Sequence, residues 1–242
     1  MALVLLSIAF LLLSSCSSEE PPKPALILWA LDRPEKLTFI DPNQTEVAVL
    51  RGAISINESG VLAQPRRVSV EAPDKTKFIS VVKIDAGRFD GYVPTTFDGE
   101  RCVTSIREWT ANANSTSLQI EFDAGMAQRP FYRNLLKALR PSFQRLTIAA
   151  PAAWCTTDPW VQDLPVDEVI PMLFRMGGTG GAVMDVLASS GDFPLDICKG
   201  HYGYSPDEKL AVSPPVIRIY AFNPRPWDAN TYNEAARLLR HP

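Results

Sequence analysis

From Ala25 onward, short apolar or β-branched runs alternate with polar or helix-patterned stretches, a rhythm that predicts a β/α sheet or barrel. Eight runs read as strands, at 25–31, 46–50, 78–84, 117–123, 145–151, 168–174, 200–205 and 216–222. Helical spacing of apolar residues falls at 100–113, 129–140, 180–190 and 231–240, with a short turn at 158–164. Eight strands with a helix after most of them predict a compact, irregular (β/α)8 barrel of the TIM type. The stretch from Pro34 to Asn43 is too proline-broken for a good helix. Residues 53–72 read as an inserted β-hairpin, AISI and RRVSVE flanking a turn around Asn57-Glu58-Ser59-Gly60. An open doubly wound sheet is the rival topology. No glycine fingerprint opens a helix after the first strand and no GxxxxGK[ST] occurs, so nucleotide binding has little support.

Ahead of this pattern, Ala2 to Leu13 is uncharged and almost wholly apolar, too short for a lasting membrane span and the length of a signal-peptide core. No Lys or Arg precedes it, a departure from the usual signal. The core runs into Leu13-Ser14-Ser15-Cys16, which resembles a lipoprotein lipobox. The expected organisation is a signal peptide at 1–15, a lipidated Cys16 with a flexible tether through 24, and one barrel domain at 25–242. The polar, proline-rich SSEEPPKP is too poor in apolar surface to fold. The expected location is the periplasmic side of a bacterial envelope, lipid-anchored to a membrane, with Ser17 favouring an outer membrane.

A net charge of −3 and a pI near 5.5 give no basic footprint and exclude nucleic acid as the expected partner. Cys102, Cys155 and Cys198 remain after lipidation, enough for one disulfide and one thiol in an oxidising compartment. Their spacing shows no metal-site pattern, and neither a metal nor a cofactor is expected. The domain is expected to act as a monomer.

In a barrel of this type the active site forms at the carboxyl ends of the strands. Along the fourth strand the period of two puts Gln119, Glu121 and Asp123 on one face and Leu118, Ile120 and Phe122 on the other. The third strand similarly pairs Lys83 with Asp85 opposite Val82 and Ile84. Flanking helices would cover the apolar sets, leaving carboxylates and a cation to converge at the mouth. Glycosidases need two carboxyl groups, one protonated donor and one ionised partner. Asp123 is the first candidate acid and Glu121 or Asp85 the second, with Asp207 and Glu208 also placed near a strand end. Lys83 and Arg175 would tune these acids. The same residues also admit a purely structural ion network.

His201 has only His241 as a companion, so a Ser-His-Asp or histidine-rich metal site is hard to assemble and a hydrogen-bonded strand residue is expected. Aromatic residues suit sugar rings. Of Trp29, Trp154, Trp160, Tyr202, Tyr204 and Trp227, the first two are the expected sugar platform. The proline-fixed Asn223-Pro224-Arg225-Pro226-Trp227 could aim Asn223 or Arg225 across the mouth.

Together LILWAL, LQIEFDA, RPFYRNLL, Ala152-Ala153-Trp154-Cys155, VDEVIPMLFRMG and YAFNPRPW resemble a bacterial family of exported proteins that carries a domain of unknown function. The resemblance covers nearly all of the chain after Cys16 and implies a glycosidase-like barrel, with no activity to carry over. It also implies that Cys155 and Cys198 form the disulfide. The resulting expectation is an envelope lipoprotein hydrolysing a glycan or polysaccharide by carboxylate chemistry. The alternative is a non-catalytic lipoprotein that binds a glycan or a partner protein at the same mouth.

Overall fold

The computed structural model describes residues 25–66, 69–87 and 92–239. Cys16, the signal segment, the tether and His241 lie outside the described residues. Strands β1 (Ala25–Ala30), β3 (Thr45–Asn57), β6 (Phe78–Asp85), β7 (Ser117–Phe122), β8 (Arg145–Pro151), β9 (Glu168–Met172), β10 (Gly200–Tyr204) and β11 (Val216–Ala221) pair in parallel. Pairing of β1 with both β11 and β3 closes them into an eight-stranded barrel. These are the eight runs that the hydrophobic pattern marks.

Helices α1 (Thr96–Asn112), α2 (Arg129–Leu139), α3 (Gly180–Ser190) and α4 (Ala229–Arg237) follow β6, β7, β9 and β11. The connections after β1, β3, β8 and β10 carry no α-helix among the described residues, which makes the barrel irregular. The long β3 projects past the barrel rim and folds back through β4 (Gly60–Pro65), with Asn57 opposite Gly60. The hairpin's second strand is therefore 60–65 and not RRVSVE. The later residues instead contribute β5 (Val70–Glu71), which pairs with β2 (Glu35–Lys36) in a separate two-stranded sheet.

The two faces of the strands bury two different cores. Outward residues such as Leu118, Ile120 and Phe122 pack under the helices, where Phe122 meets Tyr132 of α2 edge-on at 5.0 Å. Thr95 and Asp98 form a reciprocal capping box that fixes where α1 begins at the rim. Gln128 donates to the carbonyls of Ala86 and Tyr92 and accepts from Gly125 N–H, tying the loops after β6 and β7 together.

Inside the barrel the side chains form layers. At the amino end, Glu168 accepts from Arg145 and Arg218, each at 2.7 Å, and Glu46 lies 3.7 Å from Arg145. His201 closes this plug, its Nδ1 3.8 Å from Glu168 and without a hydrogen-bond partner among the described residues. It is thus a strand residue whose Nδ1 no described residue satisfies, and burial holds its pKa below the ordinary value. Above the plug sits an apolar layer of Ile27, Trp29, Ala48, Ile79, Val81, Ile170, Phe174 and Tyr220. A β-carbon on Gly203 would come within 2.9 Å of Trp29 and 3.1 Å of Phe174, so this strand position admits only glycine beside the aromatic pair.

Candidate active site

Above the aromatic layer, at the carboxyl ends of β6 and β7, Lys83 and Glu121 stand opposite each other in the parallel register. Their charged groups are 3.4 Å apart, with the lysine side chain 51% and the glutamate 26% exposed. Burial pushes the Glu121 carboxyl above its ordinary range; Lys83 opposes this, and the charges of Asp123 and Asp32 add to it. Lys83 is correspondingly held above its usual value, chiefly by Glu121. Asp123, the next inward position, is exposed and has no ion-pair partner among the described residues. The strand period thus brings Lys83, Glu121 and Asp123 together as expected of an alternating inner face.

Asp85 also reaches the rim, but its carboxylate accepts from Gly87 N–H at 3.0 Å and is not paired with Glu121. Asp207 accepts from Ser205 Oγ, and Glu208 accepts from the backbone N–H of Arg175 at 3.0 Å. These two acids hold their own loop. Arg175 does not clamp Glu121 or Asp123: its guanidinium lies over Phe222, 4.8 Å from the ring centroid. Phe222 in turn stacks on Phe174 with centroids 5.4 Å apart. The structural ion network expected from Lys83 and Arg175 is therefore only half present at the mouth; the complete network is the Glu168 plug at the other end.

Trp29 lies inside the barrel, its Nε1 donating to Gln119 Oε1 at 2.6 Å, and forms the floor beneath the carboxylates. Trp154 does not join it. It is 2% exposed in the outer core and packs edge-on against Trp160 at 4.8 Å, because its short 3-10 turn leads away from the mouth. Asn223 and Arg225 are likewise turned away from the expected role. Asn223 Oδ1 accepts from Arg225 N–H inside the loop, and the exposed Arg225 makes no side-chain contact with the carboxylates. Cys155 and Cys198 are joined in a disulfide that ties the segment after β8 to the start of β10.

Two groups escaped the sequence reading. Asp32 lies two residues past the end of β1, and its charge acts on both Lys83 and Glu121. Its position just past a strand end was the available signal. Arg33 donates to the carbonyls of Asn223, Pro224 and Arg225 and to Glu35, while Glu35 accepts from Trp227 N–H. This links the loop after β1 to the loop after β11 and fixes the rim beside Asp32. Nothing in the local pattern marks that long-range contact.

The architecture is a closed (β/α)8 barrel with carboxylates at its C-terminal mouth. Among solved structures it is similar to a fungal endo-β-N-acetylglucosaminidase from glycosyl hydrolase family 18, with a TM-score of 0.54 at 13% identity, covering 89% of this chain and 97% of that one. No protein-family model matches the sequence, and no curated protein matches it. At this identity the likeness concerns the fold.

Proposed function

We propose that the protein is a glycoside hydrolase of the cell envelope, using Glu121 as general acid. The observation that carries this reading is the placement of a partly buried carboxyl with a raised pKa beside a second, exposed carboxylate at the catalytic end of the barrel. A raised pKa keeps Glu121 protonated further toward neutral pH, ready to donate to a leaving glycosidic oxygen. Asp123 supplies negative charge toward the oxocarbenium-like centre or orients water there, and Trp29 floors the site. Asp32, two residues past the end of β1, is a further carboxylate whose charge Glu121 feels. Relative to the expectation from sequence, this gives the proton-donating role to Glu121 and keeps Asp123 as its partner.

A non-catalytic glycan-binding lipoprotein is the second reading, and the Lys83–Glu121 pair favours it, because an ammonium 3.4 Å away stabilises the ionised carboxylate and so works against proton donation. A glycan panel distinguishes the two. Release of reducing ends that disappears in Glu121→Gln and Asp123→Asn, with little change in melting temperature, establishes hydrolysis; binding without release establishes the second reading. The proposed anchor is a lipid on Cys16 that holds a monomeric domain at the periplasmic face of a membrane. Its test is acyl labelling of the expressed chain, lost in Cys16→Ser.

A further inference from the structure

The charges around the mouth do not balance. Asp32, Glu121 and Asp123 act on one nearby ammonium, Lys83, whose ion pair is with Glu121. The neighbouring guanidinium groups are engaged elsewhere: Arg33 on Glu35 and three carbonyls, Arg66 on the carbonyls of Ala30 and Arg33, and Arg175 over Phe222. Asp32 and Asp123 are left without an ion pair among the described residues, so three carboxylates face Lys83, with Arg66 also within reach of the Asp32 charge, and the excess at the mouth is negative and favours an incoming cation.

A second, independent feature lies beneath them. Gln119 is fully buried on the inward face of β7, one inward position below Glu121. Its Oε1 is occupied by Trp29, and its Nε2 has no hydrogen-bond partner among the described residues. A buried amide donor without a partner is costly, so this floor is suited to a ligand that brings an acceptor. A bare metal cation would answer the carboxylates but cannot accept a hydrogen bond. A neutral glycan could accept from Gln119 but would leave the carboxylates unanswered, and an acidic one would be repelled.

We infer that the mouth takes an amino-sugar glycan with free amino groups, whose ammonium groups meet Asp32 and Asp123 while a sugar oxygen accepts from Gln119. The inference rests on the glycan reading above and names its substrate class. Binding is measured on the purified full chain by tryptophan fluorescence and calorimetry, comparing a fully de-N-acetylated glucosamine hexamer with its N-acetylated counterpart. At low salt the amine form should bind about tenfold more tightly, a preference that salt weakens. The preference should vanish in the Asp32→Asn, Asp123→Asn double variant. Both side chains are exposed, and an unchanged melting temperature checks that the variant folds. Equal or tighter binding of the N-acetylated hexamer, or a preference that survives in the double variant, overturns the inference and leaves the glycan reading standing. Binding of neither hexamer, with no binding across a polysaccharide panel, overturns both.

Discussion

Lys83 Nζ lies 3.4 Å from the Glu121 carboxylate, yet the net effect of the site is to hold Glu121 above its ordinary pKa, because burial outweighs the ion pair. Removing the ammonium in Lys83→Met should therefore raise the Glu121 pKa further. With Glu121 as general acid, the alkaline limb of the pH–rate profile should move to higher pH. A limb that stays in place removes Glu121 from the acid role. The lysine is half exposed, so the direct loss of stability should be no more than about 1 kcal/mol.

The same shift has a stability consequence. A carboxyl whose folded pKa is raised binds more protons in the folded than in the unfolded state as pH climbs above its ordinary value of 4.5. Stability then falls with rising pH across that window. Glu121→Gln cannot ionise, and should flatten this slope and melt at the same or a higher temperature near neutral pH. Melting curves as a function of pH test it; a clear loss of stability at neutral pH would mean that the ion pair outweighs the burial cost after all.

At the opposite end of the barrel the direction reverses. Burial depresses the His201 pKa, with Glu168 opposing and Arg218 and Arg145 adding to the depression. Its contribution is present above the ordinary value of 6.5 and is lost as pH falls through the folded pKa. His201→Gln should remove that acid-side dependence. Glu168→Gln should be far more severe, since it leaves Arg145 and Arg218 in the plug without their carboxylate; a loss of about 3 to 5 kcal/mol in denaturant unfolding is expected.

The barrel was legible because its strands carry their topology in a period of two: Leu118, Ile120 and Phe122 go under α2, and Gln119 and Glu121 go inward. The Lys83–Glu121 pair follows from that period and parallel register. Other features depend on which distant segment arrives beside a residue. Trp154 looked like Trp29 in sequence, but the turn after β8 buries it against Trp160. Arg175 follows a strand and Lys83 lies near the end of one, yet Phe222 captures the Arg175 guanidinium. The hairpin's register was misplaced because both 60–65 and 66–71 carry strand-forming residues, and only pairing with β3 selects the first.

Gly203 sits against the aromatic layer that floors the mouth, and its backbone is not left-handed, so the requirement for glycine there is one of space. Gly203→Ala would force its new methyl into Trp29 and Phe174, whose rings share that layer at 6.1 Å between centroids. Overpacking should cost about 1 to 3 kcal/mol. It should also change Trp29 fluorescence and weaken glycan binding more than substitutions at Trp154, which stands in the outer core. Equal effects at the two sites would remove Trp29 from the floor of the binding site.

The disulfide between Cys155 and Cys198 spans 43 residues of chain that include β9 and α3. Closing a loop of that length restricts the unfolded ensemble by about 4 kcal/mol in the chain-entropy account. Cys155→Ala with Cys198→Ala should lower stability toward that figure, and reduction of the native chain should do the same. Cys102 provides the internal control. It lies on the buried face of α1, and burial pushes its thiol up to about 12, so it should resist thiol reagents in the folded protein. A native Cys16→Ser chain that takes up one equivalent of reagent before it unfolds would show that Cys102 is more accessible than its position in the outer core allows. A reduced chain with unchanged stability would show that the native contacts already hold the segment after β8 against the start of β10 without the crosslink.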